Sequence, residues 1–527
     1  MTRTHRAPVY ARNGVVAASQ PLAVSAGIEI LQRGGSAIDA AIATSAVLAV
    51  VEPGASHLGG DAFVITYNSA EKSTLAFNGS GEAPHTATPE AYLSGIPLHG
   101  FKSATVPGLV STWFAAHEKF GVLAMDEILA AAIDYAENGF PANTGFIRRM
   151  SHHLKTFPTT ELFRDLEIPG NLQIGQLIAQ KQLAESLLTI AEEGRSAFYE
   201  GWIAEELVKG SHGWFSADDL AAHRTRVIPP LSLPYRDVIV HGQPPPSQGM
   251  ILMEELRIAD GYDLAGMNEV DRIHLMVEAK KLAFEDRYRI LGDPEHVDIN
   301  LDELFSDGHI ATRRSEIDLL RANTARKRYP SEGSDTTYFL VADRDGNAVS
   351  WIQSVFHGFG ASWVIPNTGI IMNNRLTGFS LHPHSPNLIA PGKRPAHTLN
   401  AWLATRKDGS LALVGGTPGA NIQVQTNFQL IVNAIDLGMN PQENAEAPRW
   451  QHLTKSSSSE VENFDGVLQI ENRIDSSVTT GLKEKGHDVE ELGAFGHGSS
   501  VQLLEVTADG TFIAGSDPRA EGHAAGI

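Results

Sequence analysis

Residues 335–350 read DTTYFLVADRDGNAVS, and this stretch indicates how the second part of the chain folds. Residues 337–342 and 348–355 are rich in β-branched and aromatic side chains, which is typical of strands. Between them lies DRDGN, which has the Asp, Gly and Asn residues of tight hairpin turns. The pattern predicts two antiparallel strands, with Thr336 at the start of the first.

A polar segment over residues 295–335 precedes this hairpin and divides the chain into two parts. The first part favours helices, predicted over residues 19–35, 36–54 and 268–291. In the second part, further strands are predicted at 411–414, 467–470, 501–506 and 512–515, with a helix over 423–437. We expect mixed α/β layers, most simply one sandwich shared by both parts, and a solvent-exposed charged face on the 268–291 helix.

The composition excludes several classes of protein. Of the 527 residues, 42% are hydrophobic and 20% are charged, so a sizeable core is available. The net charge of −21 argues against a nucleic-acid partner, because phosphate binding needs clustered Lys and Arg. No apolar run reaches the roughly 18 residues of a membrane span, and the first residues lack the apolar core of a signal peptide. We therefore expect a cytoplasmic protein with neither a nucleic-acid nor a membrane partner.

Common catalytic motifs and metal-binding motifs are missing from the sequence. There is no cysteine, which excludes disulfides, thiolate metal sites and Cys nucleophiles. The sequence also contains no GxSxG, GxxxxGK[ST] or HExxH motif. The pairs His152-His153 and His382/His384 have no carboxylate at a ligand spacing, so we predict no metal and no cofactor.

Thr336 is a candidate nucleophile. A Thr hydroxyl needs a base beside it, and a Thr at a chain terminus can use its own α-amine. The ordinary pKa of that amine, about 7.7–8.0, leaves a useful fraction neutral near pH 7. Cleavage of the Asp335–Thr336 bond would create such a terminus. Taken alone, the residues are better explained by an ordinary Thr at a strand start, which is commonplace.

The glycine-rich residues 415–421, GGTPGAN, lie between a predicted strand and a predicted helix. Backbone N–H groups in such a turn can converge on an anion. A plain strand-to-helix turn fits the same residues equally well.

A series of short motifs runs along nearly the whole chain. They include EPGASHLGGDAF, PPPSQG, DTTYFLVADRDGNAVS, GIIMNNRLTGFS, GKRPAHTLN, GGTPGAN, APRW and GSDPR. In their order they resemble the γ-glutamyltranspeptidase family of N-terminal-nucleophile hydrolases. The resemblance implies an α+β fold, a four-layer αββα sandwich. It also implies self-cleavage before Thr336 into a large subunit, 1–335, and a small subunit, 336–527, that together form one domain.

The resemblance assigns catalytic roles residue by residue. Thr336 is the expected nucleophile, Thr337 the hydroxyl residue after it, and Ser354 the hydroxyl that hydrogen-bonds to it. Gly419 and Ala420 match the pair whose backbone N–H groups stabilise the oxyanion. Such a donor contributes about 3–4 kcal/mol in other enzymes, and Ala in place of the second Gly keeps the N–H.

The acyl-binding positions depart from the family's pattern. Typical members bind the glutamyl α-carboxylate with an Arg in the segment that here reads FNGSGEAP, residues 77–84, which holds no Arg. The acidic residue that binds the α-amine is replaced by Gly378. Nearby Arg375 would repel an amine and attract a carboxylate. The candidate substrate-binding residues are Arg375, Asn374, His397 and Thr398.

Three functions are compatible with the sequence. The first is a γ-glutamyl hydrolase or transferase for glutathione-like amides, with water, an amino acid or a peptide as acceptor. The second is an amidase or acylase for acids that lack the α-amine, such as glutaryl or oxamic amides, with Arg375 pairing with the acid. The third is an unprocessed, non-catalytic binding protein. For the enzymes we expect a heterodimer of the two cleaved subunits that can dimerise further.

Overall fold

The computed structural model describes residues 4–157, 161–324, 335–454 and 466–527. Its centre is formed by two seven-stranded antiparallel sheets. In spatial order, sheet I consists of β21 (His523–Gly526), β2 (Gly14–Ala18), β10 (Asp335–Asp343), β11 (Ala348–Phe356), β3 (Asp61–Asn68), β4 (Ser73–Gly79) and β7 (Arg226–Ile228). Sheet II consists of β1 (Val9–Ala11), β20 (Phe512–Ser516), β19 (Gln502–Val506), β15 (Leu411–Gly416), β14 (Trp402–Arg406), β9 (Val238–Gly242) and β8 (Leu231–Tyr235).

Helices cover the outer face of each sheet. Those that contribute to the core against sheet I are α1 (Pro21–Gln32), α2 (Ala37–Val51), α3 (Leu109–Phe120), α4 (Met125–Asn138), α5 (Thr144–Thr156), α6 (Glu161–Asp165), α7 (Lys181–Glu193), α8 (Arg195–Tyr199), α9 (Trp202–Gly210) and α10 (Ala217–Ala222). Those against sheet II are α11 (Gly249–Ala259), α12 (Glu269–Ile290), α13 (Leu301–Leu304), α14 (Asp307–Ser315), α15 (Ile422–Ile435), α16 (Pro441–Glu446) and α17 (Ser476–Glu484). A third core lies between the sheets. The predicted four-layer αββα sandwich is confirmed.

Three smaller sheets and three short 3-10 helices complete the described structure. The strands are β5 (Phe140–Pro141) with β6 (Leu177–Ile178), β12 (Val364–Ile365) with β13 (Ile370–Ile371), and β16 (Trp450–Thr454) with β17 (Gly466–Glu471) and β18 (Val489–Leu492). The 3-10 helices span Pro89–Tyr92, Phe101–Ser103 and Arg375–Gly378. In the described part of the chain, no helix is long and apolar enough to cross a membrane.

Both sheets combine strands from the two sides of position 336. Sheet I joins β2, β3, β4 and β7 to β10, β11 and β21, and sheet II joins β1, β8 and β9 to β14, β15, β19 and β20. Each sheet of the sandwich therefore contains strands from both parts of the chain. The division into subunits 1–335 and 336–527 stays a prediction, and residues 325–334 lie outside the described residues.

The predicted hairpin is present, with one irregularity in strand pairing at Thr336. The strands β10 and β11 pair from Thr337 opposite Gln353 to Ala342 opposite Ala348. Between Asp335 and Thr337 the register shifts, so Thr336 lies at a bulge. A bulge frees a residue from regular ladder pairing and redirects its side chain, which is what a reactive hydroxyl at the start of a strand requires.

The prediction of a solvent-exposed charged face on the 268–291 helix is wrong. In α12, Glu278, Lys281 and Asp286 are all buried. The ammonium of Lys281 lies 2.6 Å from the Glu278 carboxylate, and Asp286 pairs with Arg313 at 2.8 Å. Other helices and the β16–β18 sheet contribute to the core around α12, so its charges are satisfied by neighbours rather than by water.

The motifs APRW and GSDPR meet in a buried cluster of ion pairs. Arg449 of the first motif lies 2.6 Å from Asp517 of the second. The second motif's Arg519 lies 2.7 Å from Glu471, which also pairs with Arg473. These arginine contacts hold the pKa of Glu471 at about 2 despite its burial. In this structure the two motifs join the β16–β18 sheet to the end of β20.

Candidate active site

Thr336 and Ser354 enclose the peptide bond between Asp335 and Thr336. The Thr336 hydroxyl donates to Ser354 Oγ at 3.2 Å, and Ser354 Oγ donates to the Asp335 carbonyl oxygen at 2.7 Å. The backbone N–H of Phe356 donates to Ser354 Oγ at 2.7 Å and fixes its position. The contact between Ser354 and Thr336 that the resemblance implied is present. Ser354 thereby links the hydroxyl of one residue to the carbonyl of the residue before it.

A chain of polar groups on the other side of the bulge begins at Thr337. The hydroxyls of Thr337 and Ser19 are 2.7 Å apart, and Ser19 donates to Glu52 Oε2 at 2.8 Å. Ser19 and Glu52 were missed from the sequence. Glu52 opens the EPGASHLGGDAF motif at the end of α2. A carboxylate directly after a helix of mostly small and apolar residues was the available signal.

Arg149, on α5, lies between two carboxylates at this site. One guanidinium nitrogen is 3.5 Å from Glu52 Oε1, and Nε is 3.7 Å from Asp335 Oδ1. The Arg149 side chain is 29% exposed. Burial raises the pKa of Asp335, and the positive charge of Arg149 partly offsets that rise. Arg149 could not be predicted from the sequence, because an Arg on an amphipathic helix is normally a solvent-facing residue.

Gly419 and Ala420 form the turn between β15 and α15, both with positive φ, of 124° and 50°. A Cβ at Gly419 would come within 2.6 Å of the Ile422 side chain, so this position requires Gly. Within the described residues, neither N–H of the pair donates a hydrogen bond. Gln248 Nε2 donates to the carbonyl oxygens of Ala420 and Thr398, at 2.9 and 2.7 Å. Gln248, in the PPPSQG motif, was also missed from the sequence.

The predicted acyl-binding residue Arg375 is buried and has a carboxylate from the protein beside it. Its Nε lies 3.3 Å from Asp61 Oδ2, and its guanidinium carbon is 4.0 Å from the centre of the Phe356 ring. His397 Nε2 is 3.2 Å from the same Asp61 oxygen, and the N–H of Gly81 donates to the other oxygen at 3.1 Å. A substrate carboxylate at Arg375 would therefore compete with Asp61.

The electrostatics of this group follow from its complete burial. Burial raises the pKa of Asp61 to about 6, although the Arg375 charge acts to lower it. Burial also holds the pKa of His397 well below its ordinary value, so its imidazole is neutral at pH 7. The substrate-binding roles of Arg375 and His397 stay predictions.

Asn374 and Thr398 support loops beside the site. The Asn374 side chain accepts from the N–H of His357 and donates to the carbonyl of Leu98, both at 3.1 Å. It therefore joins the segment after β11 to the segment that carries His99. The backbone carbonyl of Thr398 is held by Gln248. The structure places both residues next to the site, and their contacts with substrate stay predictions.

Two clusters away from Thr336 contain side chains of the kinds that bind metal ions. They are His274, Glu278 and His487, and Glu254, Asp286 and His309. In the first, the two imidazoles are 2.8 Å apart and the carboxylate pairs with Lys281. In the second, Asp286 pairs with arginines on both sides. Because these groups already bind one another, we assign no metal to either cluster.

The fold and this site together define an N-terminal-nucleophile hydrolase: two facing antiparallel sheets between helical layers, with a hydroxyl residue at the start of a central strand. The comparison with protein families agrees. The Gamma-glutamyltranspeptidase family model matches residues 23–527, and the chain belongs to this family of hydrolytic enzymes.

Relatives of different named activity match along nearly the whole chain. The glutathione hydrolase-like YwrD proenzyme of Bacillus subtilis is 38% identical over 517 residues, covering 96% of this chain and 97% of its own. The oxamate amidohydrolase proenzyme of Klebsiella pneumoniae is 34% identical over 536 residues, 98% of each chain. A solved structure of cephalosporin acylase from Bacillus halodurans superposes with a TM-score of 0.90 at 34% identity, covering 100% of this chain and 98% of that one.

Proposed function

We propose that the chain is a proenzyme that cleaves its own Asp335–Thr336 bond and then hydrolyses amides through an acyl-enzyme on Thr336. The observation that carries this proposal is the contact of Ser354 Oγ with both the Thr336 hydroxyl and the Asp335 carbonyl oxygen, at a bulge in β10. Proenzyme is also the word in the names of both relatives given above.

Self-cleavage follows from this geometry by a shift of the acyl group. Thr336 Oγ1 attacks the Asp335 carbonyl carbon and loses its proton, the C–N bond breaks, and the nitrogen takes up a proton to become the α-amine of Thr336. Asp335 is then held as an ester, which water hydrolyses to a free carboxylate. The products are chains 1–335 and 336–527, which remain together as a heterodimer.

Turnover repeats this chemistry on an external amide. The α-amine of Thr336 takes the proton of its own hydroxyl, and the oxygen attacks the substrate carbonyl carbon. The N–H groups of Gly419 and Ala420, which have no acceptor in the described structure, stabilise the oxyanion. The leaving amine departs with a proton, and water or an amine acceptor then attacks the acyl-enzyme. The chain's own groups supply the nucleophile, the base and the oxyanion donors.

The acyl group we propose is γ-glutamyl or a related acid. The second candidate, an acyl group without the α-amine, is favoured by one observation. At the position where an acidic side chain would bind the amine stands Gly378, and the nearby buried carboxylate of Asp61 faces Arg375 and His397. No acidic side chain of this group is thus left to bind an ammonium. The names of the relatives include both kinds of activity, glutathione hydrolase and oxamate amidohydrolase.

Intact-mass measurement of the purified protein tests the proposal. We expect two polypeptides, residues 1–335 and 336–527, and hydrolysis of γ-glutamyl- or glutaryl-p-nitroanilide. Faster hydrolysis of the γ-glutamyl anilide than of the glutaryl anilide would overturn the second candidate, an acyl group without the α-amine. An intact 527-residue chain that hydrolyses either anilide would contradict the mechanism, and an intact inactive chain would support the non-catalytic alternative.

Replacing Ser354 with Ala is expected to slow both self-cleavage and turnover, by about ten- to a hundredfold. The variant loses the hydroxyl that contacts the attacking oxygen and the attacked carbonyl. The time course of fragment formation on denaturing gels and kcat/KM for an anilide measure the two effects. Ser354→Thr keeps the hydroxyl and should retain most activity. Ser350→Ala, on the same strand but bonded to Tyr338, is the matched control; unchanged rates in Ser354→Ala would contradict its role.

Replacing Ala420 with Gly is expected to leave kcat/KM within about twofold, because the oxyanion N–H remains. The free energy of unfolding should stay equal or rise by up to about 1 kcal/mol, since Ala pays a steric cost at a φ of 50°. Ala420→Val, with a branched Cβ at positive φ, should be destabilised. A tenfold loss of activity in Ala420→Gly would show that the methyl group, rather than the N–H, is what the site needs.

A further inference from the structure

We infer that Arg149 binds the carboxylate at the end of the substrate's acyl chain, and that the Asp335 side chain occupies this place before cleavage. The inference rests on the proposed function, because it treats Asp335 as the acyl group of the self-cleavage reaction. It names the class of substrate: amides of dicarboxylic acids of succinyl or glutaryl length. Neither the family resemblance nor the sequence pointed to Arg149.

The contacts of Arg149 place a positive charge beside the reacting bond. Its Nε faces Asp335 Oδ1 at 3.7 Å, a distance for an ion pair rather than a hydrogen bond, and its other carboxylate neighbour is Glu52 at 3.5 Å. Glu52 is also bonded to Ser19. On the same helix α5, the charges of Arg148 and His152 act on Asp335 in the same direction as Arg149. Glu52 acts in the opposite direction, and burial raises the pKa of Asp335 overall, so the positive charges of Arg149 and Arg148 are what favour an anion at this place.

The chemistry of Asp335 makes it an internal substrate. The carbonyl carbon that Thr336 attacks is followed by Cα, Cβ and a carboxylate, which is the skeleton of a succinyl group. The structure thus contains an acyl chain whose carbonyl oxygen contacts Ser354 and whose carboxylate faces Arg149. After cleavage, Asp335 is no longer joined to Thr336. A free dicarboxylic acyl amide can then present its terminal carboxylate to Arg149, while the N–H groups of Gly419 and Ala420 stabilise its carbonyl oxygen.

Exposure and charge balance favour Arg149 over Arg375 for this role. The side chain of Arg375 is 1% exposed, packs on Phe356, and faces Asp61, which does not depart on cleavage. The side chain of Arg149 is 29% exposed, and one of its two carboxylate neighbours is Asp335 itself. Loss of the Asp335 contact would leave Arg149 with one of these two ion pairs, to Glu52, whereas Arg375 keeps Asp61.

Binding to the uncleaved chain tests the inference independently of catalysis. Isothermal titration measures succinate binding by three proteins. The first is Thr336→Ala, the second also carries Asp335→Ala, and the third carries Arg149→Met in addition to both. We expect succinate to bind at least about tenfold more tightly once Asp335 is shortened, and the added Arg149→Met to abolish that gain. Equal binding by the first two proteins, or binding that survives Arg149→Met, would overturn the inference.

Kinetics on the cleaved enzyme provide the second test. Succinyl- and butyryl-p-nitroanilide share the leaving group and chain length and differ in the carboxylate. Arg149→Met should lower kcat/KM for the succinyl substrate by about ten- to a hundredfold, mainly through KM, and leave the butyryl substrate within twofold. Arg149→Lys should recover part of the loss, and Lys155→Met, at an exposed position of the same helix, should match the wild type with both substrates.

The outcomes separate the inference from the proposed function. If the wild type is cleaved and active but Arg149→Met treats both anilides alike, the inference fails and the proposed function stands. If the wild type is neither cleaved nor active, the proposed function fails, and the succinate titration alone decides whether Arg149 is an anion site. If Arg149→Met selectively lowered kcat/KM for substrates that carry the carboxylate on the leaving group rather than on the acyl group, the assignment of Arg149 to the acyl chain would be overturned.

Discussion

Thr336→Ala is expected to give an uncleaved chain of 527 residues without amidase activity. The substitution removes the oxygen that attacks both the Asp335 carbonyl and the substrate, while the neighbouring Ser354 and Thr337 remain. Removal of a nucleophile in other hydrolases lowers kcat on the order of a million-fold. We expect the loss here to be of that order, measured as anilide hydrolysis by the purified protein after prolonged incubation, with intact mass as the measure of cleavage.

The control for this experiment is Thr336→Ser. Serine keeps the hydroxyl and the α-amine and loses only a methyl group, so it should be cleaved and active at a reduced rate. Thr336→Ala should remain folded, as measured by thermal unfolding, because only a small buried side chain is shortened. The appearance of two fragments in Thr336→Ala, or turnover by it, would rule out Thr336 as the nucleophile.

Glu471→Gln is expected to lower the free energy of unfolding by about 3–5 kcal/mol, the largest effect on stability that we predict. Glu471 is fully buried and pairs with Arg519 at 2.7 Å and with Arg473. Gln has almost the same shape but no charge, so two arginines lose their common carboxylate. Urea denaturation measures the change. Glu491→Gln, at an exposed position of β18, should leave stability within about 0.5 kcal/mol.

The same ion pairs predict a dependence of stability on acid. The folded-state pKa of Glu471 is about 2, below its ordinary value of 4.5. Its contribution is therefore fully present above pH 4.5 and is lost as the pH falls toward 2. The difference in stability between wild type and Glu471→Gln should shrink over that range. A difference that stays constant from pH 6 to pH 3 would contradict the assignment.

Local sequence patterns predicted the elements whose signals are local. The hairpin β10–β11, the buried helix α2 and the helix α15 appear within three residues of their expected positions. The resemblance also led to the Thr336–Ser354 contact, because both residues lie in one recognisable motif region. What these features share is that neighbouring residues along the chain carry the information.

The residues missed from the sequence act over long separations. Ser19 and Thr337 are 318 positions apart, yet their hydroxyls form one hydrogen bond. Asp61 meets His397 across 336 positions. An isolated Ser, Asp or Arg carries no periodic or turn signal, so only the assembled sheets show which of them meet. The charged face of α12 misled for the same reason, since its partners come from distant segments.

The mixed origin of the strands in both sheets has a consequence for the cleaved protein. The boundaries β21/β2, β2/β10 and β11/β3 in sheet I, and β1/β20 and β14/β9 in sheet II, each pair a strand from one product with a strand from the other. A cut before Thr336 breaks one covalent link and none of these ladders. Strands of the two polypeptides pair with each other in both sheets, so the polypeptides cannot separate unless both sheets unfold. We expect them to unfold and separate in a single transition whose midpoint rises with protein concentration.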